Sequence, residues 1–310
     1  MQKIFYGAPG TGKSYKIDNE ILNGVSDDHI FRITFYPDFS YSDFVGQLLP
    51  TVIPPATPGG MSTITYEFQK GVFTTALEKA YENNAEDVYL VIEEMSRGDC
   101  AAIFGDIFQL LDRQKSGPDM GYSRYFINNK MISNDIIALP GDTVKLPANF
   151  HILGTVNTSD QNVFVMDTAF KRRFDWEYIS PNPIEVIGKT GTYENNVDLE
   201  INDGNTKRTI SWVDFYQKLN EFIADDRYLE LGEDKQLGPF FIEFDSTASV
   251  KEHKKVIQNK LLNYLWTDVH KASYKSDIRL FKDDIGTFKK LYEEFEAGHQ
   301  VFSETFILIL

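Results

Sequence analysis

The stretch Lys3-Ile-Phe-Tyr-Gly7-Ala8-Pro9-Gly10-Thr11-Gly12-Lys13-Ser14 decides the fold. Its apolar start, Ile4–Tyr6, reads as a short buried strand, and a helix is expected from near Lys13. Between them the chain fits G-x-x-x-x-G-K-[ST]. Gly7, Gly10 and Gly12 let the backbone wrap closely around phosphate oxygens with its N–H groups pointing inward. The start of the following helix adds partial positive charge. Lys13 is then expected on the β- and γ-phosphates and the Ser14 hydroxyl on Mg²⁺. A glycine-rich turn with a chance Lys-Ser is the bland alternative, and the strand before and helix after weigh against it.

Outward from this loop, Phe31–Phe35, Val88–Ile92 and His151–Val156 read as further buried strands bounded by Gly, Pro or polar residues. Helices are expected over Phe73–Tyr81 and Ala101–Arg113; in the second, Ile103, Ile107, Leu110 and Leu111 share one face. The alternation predicts an α/β fold, a parallel sheet flanked by helices. Pro54, Pro55, Pro58, Gly59 and Gly60 mark a loop, and 117–149 reads as an inserted loop or hairpin region. A boundary is placed near 180. Residues 1–180 form the nucleotide-binding domain, and 181–310 a connection plus a mainly helical C-terminal domain. The connection, 187–209, is Asn/Gly-rich and reads as a linker or an exposed hairpin, and the helices run over Val213–Ala224, Glu252–Trp266 and Ile285–Ala297.

Composition narrows the function classes. The 310 residues carry 31 Lys+Arg against 46 Asp+Glu, a net charge of −15, which argues against a broad basic face gripping nucleic acid. A single cysteine, Cys100, excludes a disulfide scaffold and a cysteine-based zinc site. No apolar run approaches a membrane span, and glycines stand where the apolar core of a signal peptide would run, so a cytoplasmic protein is expected.

The strand Val88–Ile92 runs into Glu93-Glu94, a Walker B arrangement in which the first acid holds Mg²⁺ and the second polarises the attacking water. A solvated acidic strand end is the alternative. The strand His151–Val156 ends in Asn157-Thr158-Ser159-Asp160, where Asn157 is a candidate for orienting the water or touching the γ-phosphate; taken in isolation, the tetrapeptide reads more readily as a plain turn or helix cap. Lys171-Arg172-Arg173-Phe174 is either a solvated basic face or, in an oligomeric NTPase, an arginine finger offered to a neighbour's γ-phosphate.

Taken in order and spacing, GAPGTGKS, VIEEMSRGD, GTVNTSDQ and MDTAFKRRF resemble the McrB-type AAA+ GTPase domains, the motor subunits of McrBC modification-dependent restriction systems. FRITFYPDFSYSDFVG (31–46), YEFQKGVF (66–73) and, more weakly, LGPFFI (237–242) extend the resemblance. The family's D-E-I-N-R-G stands here as Glu93-Glu94-Met95-Ser96-Arg97-Gly98, with Glu93 for Asp and Ser96 for Asn. Its N-T-A-D motif matches Asn157-Thr158-Ser159-Asp160, which adds Asp160 to the nucleotide-binding candidates, and its arginine-rich helix matches Lys171–Phe174. The resemblance implies an AAA+ fold with a helical lid and a GTP-hydrolysing hexameric ring that works with a McrC-like nuclease subunit. With the phosphate loop starting at residue 7, DNA recognition is expected in another domain or chain.

Two other readings share these motifs. One is a slow-hydrolysing nucleotide switch that recruits a nuclease through its bound state, favoured by the substitutions at Glu93 and Ser96. The other is a chaperone-type ATPase of the MoxR kind. The preference for GTP over ATP rests on the family likeness alone.

Overall fold

The computed structural model describes residues 1–54, 61–139, 141–159, 164–204, 206–273 and 277–310. Asp160 and most of the proline- and glycine-marked loop, residues 55–60, lie outside the described residues. The chain divides into two compact units: Met1–Tyr6, Ser14–Val156 and Asp160–Glu177 form one, and Gly7–Lys13, Asn157–Ser159 and Tyr178–Leu310 the other.

Among the described residues nine strands are formed: β1 (Gln2–Gly7), β2 (Ile30–Thr34), β3 (Gly46–Ile53), β4 (Thr63–Lys70), β5 (Val88–Glu93), β6 (Phe150–Asn157), β7 (Asp175–Tyr178), β8 (Asp198–Asn202) and β9 (Lys207–Ser211). Five make one sheet in the order β2-β5-β6-β1-β7. Within it, β2 pairs parallel to β5 and β5 parallel to β6. Every residue from Val88 to Ile92 is buried, as expected for a central parallel strand covered on both faces. The expected strands are present, and β7 is an addition. It is tied down by Glu177, which takes Lys3 at 2.9 Å and Lys16 at 3.0 Å.

The first unit's core gathers Ile4, Phe35, Phe44, Phe73, Phe104, Phe150 and Phe170. The helix Val72–Glu82 contributes Phe73, Ala76, Leu77 and Ala80, a spacing of i, i+3, i+4 and i+7 that puts all four on one face. The helix expected over 101–113 is not continuous. It is α-helical only over Cys100–Phe104, capped by the Asp99 side chain, and continues as a 3₁₀ helix over Gly105–Leu111. Gly105 has φ +48° and ψ −125°, outside the helical region, and a Cβ there would lie 2.8 Å from the Tyr41 ring. Apolar spacing cannot reveal such a break.

Among the described residues, the region 117–149 takes part in two isolated bridges, Arg113↔Ser123 and Ile127↔Val144, and contains one helix the sequence reading lacks, Lys130–Asp135, N-capped by Asn129. Its organiser is Arg113. The guanidinium donates to the carbonyls of Gly121, Pro147 and Phe150 at 2.8–2.9 Å and to Gln2 Oε1 at 2.6 Å. Burial lowers its pKa to about 10, so the cation is kept by carbonyl dipoles in place of a carboxylate.

β3 and β4 form an antiparallel hairpin that puts Leu48, Pro50 and Val52 opposite Phe68, Tyr66 and Ile64. Leu48, Val52, Ile64 and Tyr66 are each more than half exposed, so this is an apolar ribbon face open to solvent.

The second unit has its own core, including Trp212, Phe215, Tyr216, Leu219, Phe222, Phe302 and Phe306. Residues 198–211 form the β8–β9 hairpin. The helix Trp212–Ala224 starts at the Ser211 cap, and a helical stretch from Val250 to His270 alternates α and π turns. The last long helix begins at Phe288 and not at Ile285, because the Thr287 side chain caps it by accepting from the Lys290 amide. No described helix is long and apolar enough to cross a membrane.

Candidate functional site

In the second unit the phosphate loop is organised by backbone contacts. Gly10 has φ +74°, and a Cβ there would lie 2.2 Å from the Phe241 nitrogen. Only glycine fits. A Cβ on Gly238 would likewise lie 2.2 Å from the Gly10 oxygen. This closeness reflects direct pairing: the Gly238 amide donates to the Pro9 carbonyl at 2.9 Å and the Phe240 amide to the Gly10 carbonyl at 2.8 Å. The Leu237–Ile242 segment thus lies against the loop backbone. Lys13 is buried, and its ammonium donates to the carbonyls of Ala8 at 2.9 Å and Gly7 at 3.2 Å, which puts the charge inside its own loop. Thr11 closes the turn by donating to the Ala8 carbonyl at 3.0 Å. The end of β6 joins this unit, and the Thr158 amide donates to the Gly7 carbonyl at 3.1 Å, placing Asn157 one residue from the loop contact.

In the first unit the acids at the end of β5 meet Ser14. The Ser14 hydroxyl donates to Glu93 Oε2 at 3.1 Å. Two further donors converge on the same carboxylate: Thr155 on Oε2 and Arg32 on Oε1, with Arg32 also paired to Asp18. Oxygen donors of this kind suit a hard divalent cation. Among the described residues no three His, Cys, Asp or Glu side chains are grouped to hold a metal alone. The Ser14 hydroxyl and the Glu93 carboxylate are the oxygen groups here that could take Mg²⁺, which is commonly bound by one or two carboxylates together with substrate phosphates.

Glu94 turns the chain. Its φ of +53° is unusual for a residue with a side chain, and a short 3₁₀ helix, Met95–Arg97, follows. The Glu94 carboxylate faces Arg97 at 3.4 Å and its amide donates to the Thr155 hydroxyl at 3.1 Å. Ser96, where the related motif has Asn, is buried, and its hydroxyl has no hydrogen-bond partner among the described residues.

The two arginines part company. Arg173 is built into its own unit: its guanidinium takes Asp112 at 2.7 Å and the Ala169 carbonyl at 2.6 Å, and lies 4.1 Å from the centre of the Phe108 ring. Arg172 is exposed and makes no side-chain hydrogen bond or ion pair among the described residues. The helix Thr168–Lys171, capped by Asp167, turns Phe170 into the core just ahead of both.

Sequence reasoning did not find Arg32 or Thr155. Neither belongs to a contiguous motif; both become neighbours of Glu93 only through the β2-β5-β6 order.

Residues 3–174 match the family described as AAA domain (dynein-related subfamily). The chain is 34% identical over 324 aligned residues to the type II restriction enzyme BsuMI component YdiS of Bacillus subtilis (strain 168), covering 97% of this chain and 87% of that one. It is 22% identical over 181 residues to the type IV methyl-directed restriction enzyme EcoKMcrB subunit of Escherichia coli (strain K12), covering 57% of this chain and 35% of that one.

Proposed function

The chain belongs to the dynein-related subfamily of AAA domains, and from that premise we propose that it is a Mg²⁺-dependent nucleoside triphosphatase, with GTP favoured over ATP, acting as the motor or regulatory subunit of a restriction system. The observation that carries the reading is the Ser14 hydroxyl 3.1 Å from the Glu93 carboxylate at the end of β5.

Lys13 and the loop amides bind and orient the β- and γ-phosphates. Ser14 and Glu93 would hold Mg²⁺, which when bound neutralises charge on the phosphate oxygens. Glu94 accepts a proton from the attacking water as its oxygen bonds to the γ-phosphorus and the bond to the β–γ bridging oxygen breaks. Asn157 orients that water, and Asp160 is a nucleotide-binding candidate by its motif alone. Arg172, exposed at the end of its helix, is the group offered to a neighbouring subunit's γ-phosphate, while Arg173 anchors the turn that presents it. Such a finger requires an oligomer, and a hexameric ring is the arrangement we favour.

The relatives' names support the wider setting. One is a component and the other a subunit of a restriction enzyme, which favours a separate nuclease chain of the McrC kind as partner. The net charge of −15 favours DNA contact through another domain or chain. The single cysteine and the absence of a membrane-spanning helix among the described residues fit work in the cytoplasm.

The test is a side-by-side titration of purified protein with GTP and ATP, in Mg²⁺ and in EDTA, reading affinity and turnover together. Glu94→Gln should keep nucleotide affinity while turnover falls by about 10²-fold, the usual scale for loss of a general base. Turnover that barely moves would assign the base elsewhere.

A further inference from the structure

Three donors hold the Glu93 carboxylate, and they are not equivalent. Ser14 is itself a candidate metal ligand. Arg32 reaches in from β2 on a long, partly exposed side chain and divides its charge between Glu93 and Asp18. Thr155 differs from both: it is 3% exposed, its side chain is short, and its backbone is part of the central strand β6.

The registered pairing of β5 with β6 runs from Val88↔Phe150 to Ile92↔Gly154. The next residues along the two strands are Glu93 and Thr155, so the sheet itself sets them side by side. A threonine hydroxyl has one proton to give and lone pairs to accept with. Here the proton goes to Glu93 Oε2, and a lone pair takes the amide of Glu94 at 3.1 Å. That amide belongs to the residue at φ +53°, where β5 ends and the chain turns away. A single buried hydroxyl therefore touches the side chain of the first acid and the backbone of the second. Glutamate has one more rotatable bond than aspartate, so Glu93 needs a fixed donor to hold its carboxylate in one place.

We propose that Thr155 is a positioning residue which locks the two acids into one unit, setting the Glu93 carboxylate for metal binding and the Glu94 backbone for presentation of the base. The inference rests on the roles given to Glu93 and Glu94 above. It makes a distinctive claim: one uncharged substitution on β6 disturbs metal affinity and turnover together, while leaving the phosphate loop's grip on nucleotide intact.

Thr155→Val keeps the shape and removes the hydroxyl; Thr155→Ser keeps the hydroxyl and removes the methyl. The measurement that does not depend on turnover is binding of a fluorescent, non-hydrolysable guanine nucleotide, followed as Mg²⁺ is raised from EDTA conditions. For Thr155→Val the Mg²⁺ concentration at half-effect should rise about tenfold, the scale of one lost hydrogen bond to a charged group, with affinity in EDTA within about twofold of the parent. Turnover at saturating Mg²⁺ should fall about tenfold as well. Thr155→Ser should restore both values to within about threefold. Should the valine variant not fold, Thr155→Ala carries the same comparison with serine. A valine variant that titrates with Mg²⁺ like the parent overturns the proposal, and so does a serine variant as impaired as valine, since the methyl packing would then be responsible. Glu93→Gln separates this inference from its premise. If that variant also leaves the Mg²⁺ half-point unmoved, the metal role of Glu93 fails along with the proposal. If Glu93→Gln shifts it and Thr155→Val does not, only the positioning role is lost.

Discussion

The acids at the end of β5 and the phosphate loop after β1 are held by opposite means. The Glu93 carboxylate is held by side chains: two hydroxyls and a guanidinium donate to it. Around Gly10 the contacts are backbone amides on backbone carbonyls, at separations that leave no room for a Cβ. A side-chain network can be retuned one group at a time, because an isostere removes a hydrogen bond without moving the chain. A backbone contact of this closeness has no such gradation. The substitution of Glu for Asp at 93 falls in the region that can absorb a change, whereas the loop keeps Gly7, Gly12, Lys13 and Ser14 of its motif unaltered.

The largest effect would come from outside both regions. Arg172→Ala should reduce turnover by about 10³-fold or more if the exposed guanidinium completes a neighbour's site, with nucleotide affinity preserved. Mixing Arg172→Ala with Lys13→Ala protein is the decisive assay. Mixed rings should recover activity at subunits with an intact loop that receive a finger from a Lys13→Ala neighbour, and rings shown to be mixed yet inactive would exclude donation in trans. Lys13→Ala attacks the loop alone. Losing its charge-assisted bonds should weaken nucleotide binding by at least about 10²-fold in a fluorescence titration, and near-normal affinity would sink the loop assignment.

Arg173→Ala sharpens the contrast from the side-chain end. It leaves Asp112 without its partner and uncovers Phe108, so denaturant unfolding should show a loss of about 3 kcal/mol, against under about 0.5 kcal/mol for Arg172→Ala. Equal losses would mean that both arginines are structural. Gly238→Ala probes the backbone end. Its Cβ would press on the Gly10 carbonyl, and nucleotide affinity should fall about tenfold with the fold retained; because a Cβ on Gly10 would press on Phe241 of the same paired segment, the double variant should be little worse than either single one. Fully additive losses would show that the two glycines act separately.

What the sequence disclosed follows from how locally each feature is encoded. The phosphate loop and Glu93-Glu94 were legible because phosphate chemistry demands particular residues at contiguous spacing, directly after an apolar strand. The α/β class was legible from the alternation of buried runs with helical periods. The break at Gly105 was hidden because Ile103, Ile107, Leu110 and Leu111 keep an apolar face whether the turn is α or 3₁₀. The helix Lys130–Asp135 is one and a half turns long and starts from an Asn cap, too short to establish a period. Leu48, Pro50 and Val52 alternate only weakly with their neighbours, and their common face emerges when the hairpin register sets them across from Phe68, Tyr66 and Ile64. Arg32 and Thr155 reach Glu93 through strand order, and Asp112 reaches Arg173 through the turn after the 3₁₀ helix. None of these pairs is close in sequence, and no single-chain pattern links them.

The pairing of residues 238–240 with the phosphate loop has a use in kinetics. The amide protons of Gly238 and Phe240 are held by the carbonyls of Pro9 and Gly10, so they exchange with deuterium only when that pairing opens. A ligand that stiffens the loop must slow exchange at these two positions, far along the chain from the loop's own residues. Peptides covering Leu237–Ile242 thus carry an isotopic clock for the phosphate loop, and it can be read in the unlabelled, unsubstituted protein.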